Sequence, residues 1–209
     1  MTTHDRPRDR ALAQFPTIYV TLVSVVQAIA LEVLVSRVYA VGLEPSLAHD
    51  SIIVWLEVAL LGQTIFYVWV SYTLLVTMAQ WVLRFFDFAA AFSVGVLQFA
   101  AIGWIGPDTP RNFLIMIVIG FLAGALISRS NTGAAARRPE NAEVMTGFPH
   151  RLLTGLLGVV GLLGLVGVFA GAGEPGRGPL AIALMATCNA VLFLALLAWF
   201  YWWRRVVKL

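Results

Sequence analysis

Apolar residues gather along this chain into six long runs separated by short polar stretches. The runs cover about 15–39, 51–78, 85–105, 110–129, 151–172 and 179–203. A helix crosses the roughly 30 Å hydrocarbon core of a bilayer with about 20 apolar residues. Each run therefore has the length of a transmembrane helix, and the expected fold is all-α, an integral membrane bundle of six spans. Residues 1–14 read as a cytoplasmic N-terminal tail, and 15–209 as a single six-helix domain.

Local signals place the boundaries. Asp50 and Ser51 offer an N-cap for the second span. Thr109 does the same for the fourth, with Pro110 at the first helical turn. The stretch Gly173-Glu174-Pro175-Gly176-Arg177-Gly178-Pro179 breaks the chain between the fifth and sixth. Between the second and third, only Gln80, Arg84 and Asp87 interrupt the apolar pattern, so a tight interfacial turn is expected near Ala79–Arg84. A cleaved signal peptide competes for the first run. Its apolar stretch exceeds an h-region of about 7–15 residues, and the Ala11-Leu12-Ala13 motif precedes that stretch instead of following it. A retained helix is expected.

Composition agrees with the pattern: 60% of residues are hydrophobic and only 12% charged, against about 25% charged in soluble domains. A net charge of +3, from 14 cations and 11 acids, is too even for a nucleic-acid footprint. The lone Cys188 excludes an internal disulfide, a multi-cysteine zinc site and a CxxC pair. Six spans put both termini on one side. If that side is the cytoplasm, it holds Arg6, Arg8, Arg10, Arg84, Arg129, Arg137, Arg138, Arg151, Arg204, Arg205 and Lys208, eleven of the 14 cations. Arg37, Arg111 and Arg177 lie opposite. The positive-inside rule selects this orientation, and Trp81, Phe85, Phe86, Trp199, Tyr201, Trp202 and Trp203 mark the same interface. A bacterial-type inner (plasma) membrane is the expected location. The loop 130–150 reads as a cytoplasmic, polar linker, whose arginines could also meet anionic lipid head groups.

Ionisable groups inside spans are costly and point to function. Three acids qualify: Glu32, Glu57 and Asp87. Depth follows from the 1.5 Å rise per residue. Glu32 and Glu57 each lie roughly 10 Å below the outer ends of their helices, Gln27 and Gln63 roughly 18 Å, and Ser24 and Tyr67 roughly 22–24 Å. Antiparallel neighbours would thus set Glu beside Glu, Gln beside Gln and Ser beside Tyr. Thr21 extends the stripe on the first helix and Ser71 that on the second. Two carboxylates at one depth repel in a low dielectric, so a shared proton or a bound cation would relieve them. Arg84 and Asp87, at i and i+3, suit an interfacial ion pair, while Asp87 and Gln98 could close the seam as secondary groups.

The second half is rich in small residues. Gly155, Gly158, Gly161, Gly164 and Gly167 recur every three positions, and Gly120 and Gly124 form a GxxxG. Such residues let helix backbones approach closely, within one chain or between chains.

No HExxH, GxSxG or His–Cys metal spacing occurs, so no metal site is expected and no cofactor is named. The leading expectation is a non-enzymatic channel or transporter for cations or protons, using the seam between helices 1 and 2. The alternative is a non-catalytic subunit of a larger membrane complex. An intramembrane lipid-acting enzyme, with Glu32 and Glu57 as acid and base, ranks third. Expected partners are membrane lipids with a second copy or another membrane subunit, and no nucleic acid.

Overall fold

The computed structural model describes the backbone of residues 7–41, 49–79, 85–106, 109–172, 174 and 177–207, with side chains from 14, 50 and 87 onward in the first three segments. It is all-α. The helices are α1 (Pro7–Val41), α2 (His49–Met78), α3 (Phe85–Gly103), α4 (Pro110–Ala136), α5 (Ala142–Met145), α6 (His150–Phe169) and α7 (Gly178–Val207), with a 3-10 turn at Pro139–Asn141. Five of them, α1, α2, α4, α6 and α7, are long and apolar enough to cross a membrane. The sixth expected span is α3, which has only 19 residues and a shorter apolar section, Asp87–Gly103.

The six long helices close into a ring in the order α1, α2, α7, α6, α4, α3, back to α1. Each turns a narrow stripe inward. On α7 the buried positions are Ala181, Met185, Cys188, Leu192, Ala195, Trp199 and Trp202, alternating steps of four and three. That 3.5-residue spacing keeps one seam against neighbouring helices along the whole length. The remaining faces stay apolar yet exposed, as at Phe193, Leu194 and Leu197, which suits lipid.

Lipid tails give helices no hydrophobic reason to associate, so close van der Waals packing must hold the ring. The α4–α6 contact shows how. A Cβ at Gly161 would stand 2.9 Å from Leu122, one at Gly164 3.0 Å from Val118, and one at Gly167 3.1 Å from Leu114. Steps of three along α6 meet steps of four along α4, the three-into-four ridge packing of helices crossing at about 20°. Three of the five periodic glycines thus serve packing within the chain. Gly155 and Gly158 have nothing within 4 Å of such a Cβ. A further close approach, unmarked by any repeat, is Gly95 on α3, where a Cβ would lie 2.6 Å from Val26 of α1.

Helix ends differ from expectation in detail. α1 begins at Pro7, inside the stretch read as a tail. α2 begins at His49, so Asp50 lies in its first turn, where a carboxylate suits the helix dipole. Thr109 does occupy the N-cap of α4, but its hydroxyl donates backward to the Trp104 carbonyl at 2.7 Å, not to the helix. α6 ends in a Schellman turn: the Ala172 N–H reaches the Gly167 carbonyl at 2.8 Å and that of Gly171 reaches Val168 at 3.3 Å. Gly171 takes φ +70° there, which disfavours any side chain.

The region 130–150 corrects the sequence reading most. It is largely helical, because α4 continues to Ala136 and is followed by the 3-10 turn and α5. Asn131, Thr132, Asn141 and Phe148 are buried. The Asn141 amide donates to the Ala135 carbonyl at 3.1 Å, folding the segment back on α4. Phe148 then packs on Trp199 and Trp202, with ring centroids 5.0 and 4.7 Å away. Polar composition suggested a linker, but these side chains satisfy local backbone groups. The expected turn at Ala79–Arg84, the Arg84 partner of Asp87, and Trp81 lie outside the described residues, Ala79 excepted; so do the side chains of Phe85 and Phe86.

Candidate functional site: a central cavity

The expected seam between α1 and α2 is not assembled. Thr17, Thr21, Glu32 and Ser36 are exposed on the outside of the ring, whereas Glu57 is fully buried within it. The two carboxylates therefore turn to opposite sides of the bundle wall. Level matching along two helices says nothing of azimuth. The hydroxyls of the stripe also need no partner helix: Thr21 donates to the Thr17 carbonyl at 2.9 Å, and Thr64 to Leu60 at 2.7 Å. Serine and threonine can bond the preceding helical turn, so a stripe of them is compatible with a lipid-facing surface.

What remains of the seam is structural. The Trp69 indole donates to Ser24 Oγ at 3.0 Å, tying α2 to α1. Gln27 is buried with its Oε1 lacking a hydrogen-bond partner among the described residues. Gln63 turns the other way and donates to Asn189 Oδ1 of α7 at 3.0 Å. Asn189 in turn donates to the carbonyls of Leu56 and Met185 at 3.1 and 2.9 Å. This amide bridge between α2 and α7 is the interhelical polar bonding that membrane bundles use.

Glu57 closes the end of the ring where α3 finishes and α4 begins. Its Oε2 accepts the Gly106 N–H at 3.0 Å, just past the end of α3. The preceding carbonyl, Ile105, accepts from Arg37 Nε and Nη2 at 3.1 and 2.7 Å. Arg37 of α1 and Glu57 of α2 thus hold the α3–α4 junction by two adjacent backbone groups. The cation sits on C-terminal carbonyls, where the helix dipole is favourable. Asp87, at the other end of α3, is buried, and its backbone carbonyl accepts the Tyr19 hydroxyl at 3.0 Å. Tyr19 also meets Tyr72 and Phe88 edge-on, with centroids 5.7 and 5.4 Å apart. Glu57 Oε2 and the Asp87 backbone carbonyl thus fasten the two ends of α3, while Glu57 Oε1 stays buried without a hydrogen-bond partner among the described residues.

The ring leaves a central cavity of about 110 Å³ between α2, α3 and α4, reached also by Leu157 of α6 and Trp199 of α7. Its walls are mainly aliphatic and aromatic. Polar atoms come from Thr64, Tyr67, Ser71 and Gln98, with Ser128, Asn131 and Thr132 from the C-terminal part of α4. No acidic or basic side chain lines it among the described residues. Gln98 is only 3% exposed, and both its Nε2 and its Oε1 lack hydrogen-bond partners among the described residues. The Ser71 hydroxyl makes only a loose interaction, with the neighbouring Tyr67. An unsatisfied buried amide costs about 1–3 kcal/mol, so native structures keep one only where something pays it back. Gly120 and Gly124 shape the opposite wall: each lines the cavity, and a Cβ on either meets nothing within 4 Å.

Of the eight residues expected to form a transport seam, the structure brings Tyr67 and Ser71 to this cavity and adds Gln98. Thr21 and Glu32 face outward, Ser24 bonds Trp69 of α2, Gln27 is buried apart from the cavity lining, and Gln63 and Glu57 make the bonds above. The sequence reading missed Ser128, Asn131 and Thr132. Their i, i+3, i+4 spacing marks one helical face, a signal hidden once the helix was ended at residue 129. The chain matches no known protein family, no curated protein and no solved structure.

Proposed function

We propose that this multi-pass membrane protein binds, and serves to transport, a small uncharged molecule with an apolar body and one hydrogen-bonding group. The observation that carries this reading is the buried Gln98 amide, unpartnered at both ends beside an uncharged cavity. Ligand sites are mostly apolar, with a few polar groups that fix orientation. An amide that can both donate and accept suits a hydroxyl or a carbonyl, and Ser71 offers a second such partner. The cavity approaches the size of an engineered apolar cavity of about 150 Å³ that takes up benzene, so a single-ring alcohol is of suitable dimensions. A cation or proton pathway between Glu32 and Glu57 has less support, because Glu32 faces outward while Glu57 is buried with its Oε2 on the Gly106 N–H. The acid/base pair of a lipid-acting enzyme loses its support for the same reason.

In this reading all six long helices cross the membrane. α3 rises roughly 28 Å over its length, close to the hydrocarbon thickness. Arg129, Arg137, Arg138, Arg151, Arg204 and Arg205 cluster toward the end where α4 and α7 finish and α6 starts, which favours that end, with both termini, as the cytoplasmic one.

The test is site-mapped photolabelling of the full chain in liposomes with a diazirine derivative of benzyl alcohol. Labelling at cavity positions such as Tyr67 or Trp199, displaced by excess benzyl alcohol and lost in Gly124→Leu, is the expected result. Label confined to outward-facing residues, or unchanged by Gly124→Leu, would sink the proposal.

A further inference from the structure

Glu32 stands alone on the outer surface of α1. It lies nine residues before Val41, roughly 14 Å from the helix end, within a stretch apolar enough to cross a membrane. Its side chain is exposed, and no hydrogen bond or ion pair engages it among the described residues. The hydroxyls nearby avoid this problem by bonding their own helix, as Thr21 does. A carboxylate at this position cannot. Insertion scales set the cost of a mid-span acid near 2.5–3.5 kcal/mol, and α1 already uses its other two sides on α2 and α3.

The face around Glu32 has the form of a helix-docking seam. Thr21, Val25, Ala28, Glu32, Val35 and Tyr39 are all exposed and alternate steps of four and three, the 3.5-residue period by which one helix follows another. Ala28 and Thr21 are small enough for close approach, and Tyr39 is 81% exposed at the outer end. Charge decides what covers this seam. A second copy in the same orientation would bring carboxylate to carboxylate, a pair that only a shared proton or a bound cation relieves. Nor can the chain supply a cation at that depth: its one lysine is Lys208, and Arg37 is held by the Ile105 carbonyl.

We infer that this face of α1 docks a transmembrane helix of a different protein, one carrying an arginine or lysine at the depth of Glu32. Two observations made independently of the cavity carry it: the outward carboxylate and the exposed 3.5-residue seam. Within a bilayer an acid–base pair between helices satisfies both charges and fixes register, while a mismatched helix leaves both unpaired.

The probe is a 24-residue leucine–alanine helix bearing one arginine, labelled for energy transfer to the full-length protein in phosphatidylcholine vesicles. Association should be at least tenfold stronger with the arginine at the depth of Glu32 than with leucine there or with the arginine moved to the opposite leaflet. Glu32→Gln should abolish that preference. Glu32→Lys should reverse it, favouring a glutamate-bearing probe, and this swap separates pairing from general damage. In native membranes, a photo-crosslinker at position 28 should yield a heteromeric adduct that disappears with Glu32→Gln and contains a span with arginine or lysine. Equal association of all probes overturns the inference. So does an adduct made only of this chain, or crosslinking only to lipid. None of these outcomes depends on whether the cavity binds a ligand.

Discussion

Substituting glycines one at a time by alanine tests how the ring is held together. At Gly95 an added Cβ would lie 2.6 Å from Val26 Cγ1, whereas relaxed carbon pairs sit about 3.5–4.0 Å apart. Either α1 or α3 must shift by about 1 Å, and such overpacking costs about 1–3 kcal/mol. Alanine also gains about 0.8–1 kcal/mol over glycine in helix propensity. Gly155 isolates that second effect, because it is exposed and its Cβ meets nothing within 4 Å. Gly95→Ala should therefore fall below Gly155→Ala in unfolding free energy by about 1–3 kcal/mol. Titration of the purified protein with SDS in mixed micelles, followed by tryptophan fluorescence, measures the difference. The clash names its partner, so Val26→Ala should relieve it: the double variant should be more stable than the sum of the single effects by a similar amount. Equal stability of the two glycine variants, or strict additivity with Val26→Ala, would refute the close approach of α1 and α3.

Other consequences can be checked on the same preparation. Glu57→Ala removes the acceptor of the buried Gly106 N–H, and leaving a buried donor unsatisfied costs about 1–3 kcal/mol; stability should drop by that order, with Glu57→Gln recovering part of it. Asn189→Leu breaks three hydrogen bonds, two of them between helices. At about 0.6 kcal/mol for a typical bond between membrane helices, the loss should be near 1–2 kcal/mol and should vanish in a Gln63→Leu background only for the Gln63 share. Gly171→Ala forces a side chain to φ +70° and against the Glu174 carboxylate at 2.7 Å. A cost of at least about 1 kcal/mol is expected, with a matching rise in proteolysis at the α6–α7 junction.

The membrane class and the helix limits could be read from the chain because both rest on local rules. Run length against bilayer thickness places α2 and α7 within a few residues of their observed bounds, and the Gly-Pro cluster ends α6 where expected. The failures at 130–150 and at Thr109 share one cause: polar side chains that bond nearby backbone look like linkers or caps when only composition is visible. The glycine repeat illustrates the division. Its period announced close packing, but only the α4 side chains show that Gly161, Gly164 and Gly167 are occupied while Gly120 and Gly124 open onto space.

By itself, then, the sequence determined that the chain is helical, that most of its helices are long and apolar enough to cross a membrane, and that few charges lie within them. Which way those charges point was decided by the ring. A helix fixes distance from its end through its constant rise, so residue numbers set Glu32 nine residues from the end of α1 and Glu57 eight from the start of α2. Azimuth depends on which neighbours each helix meets, and those neighbours are distant in sequence. The closure of α3 onto α1 and of α7 onto α2 turned Glu57 inward to the Gly106 amide, left Glu32 on the outer wall, and set Gln98 beside an uncharged cavity.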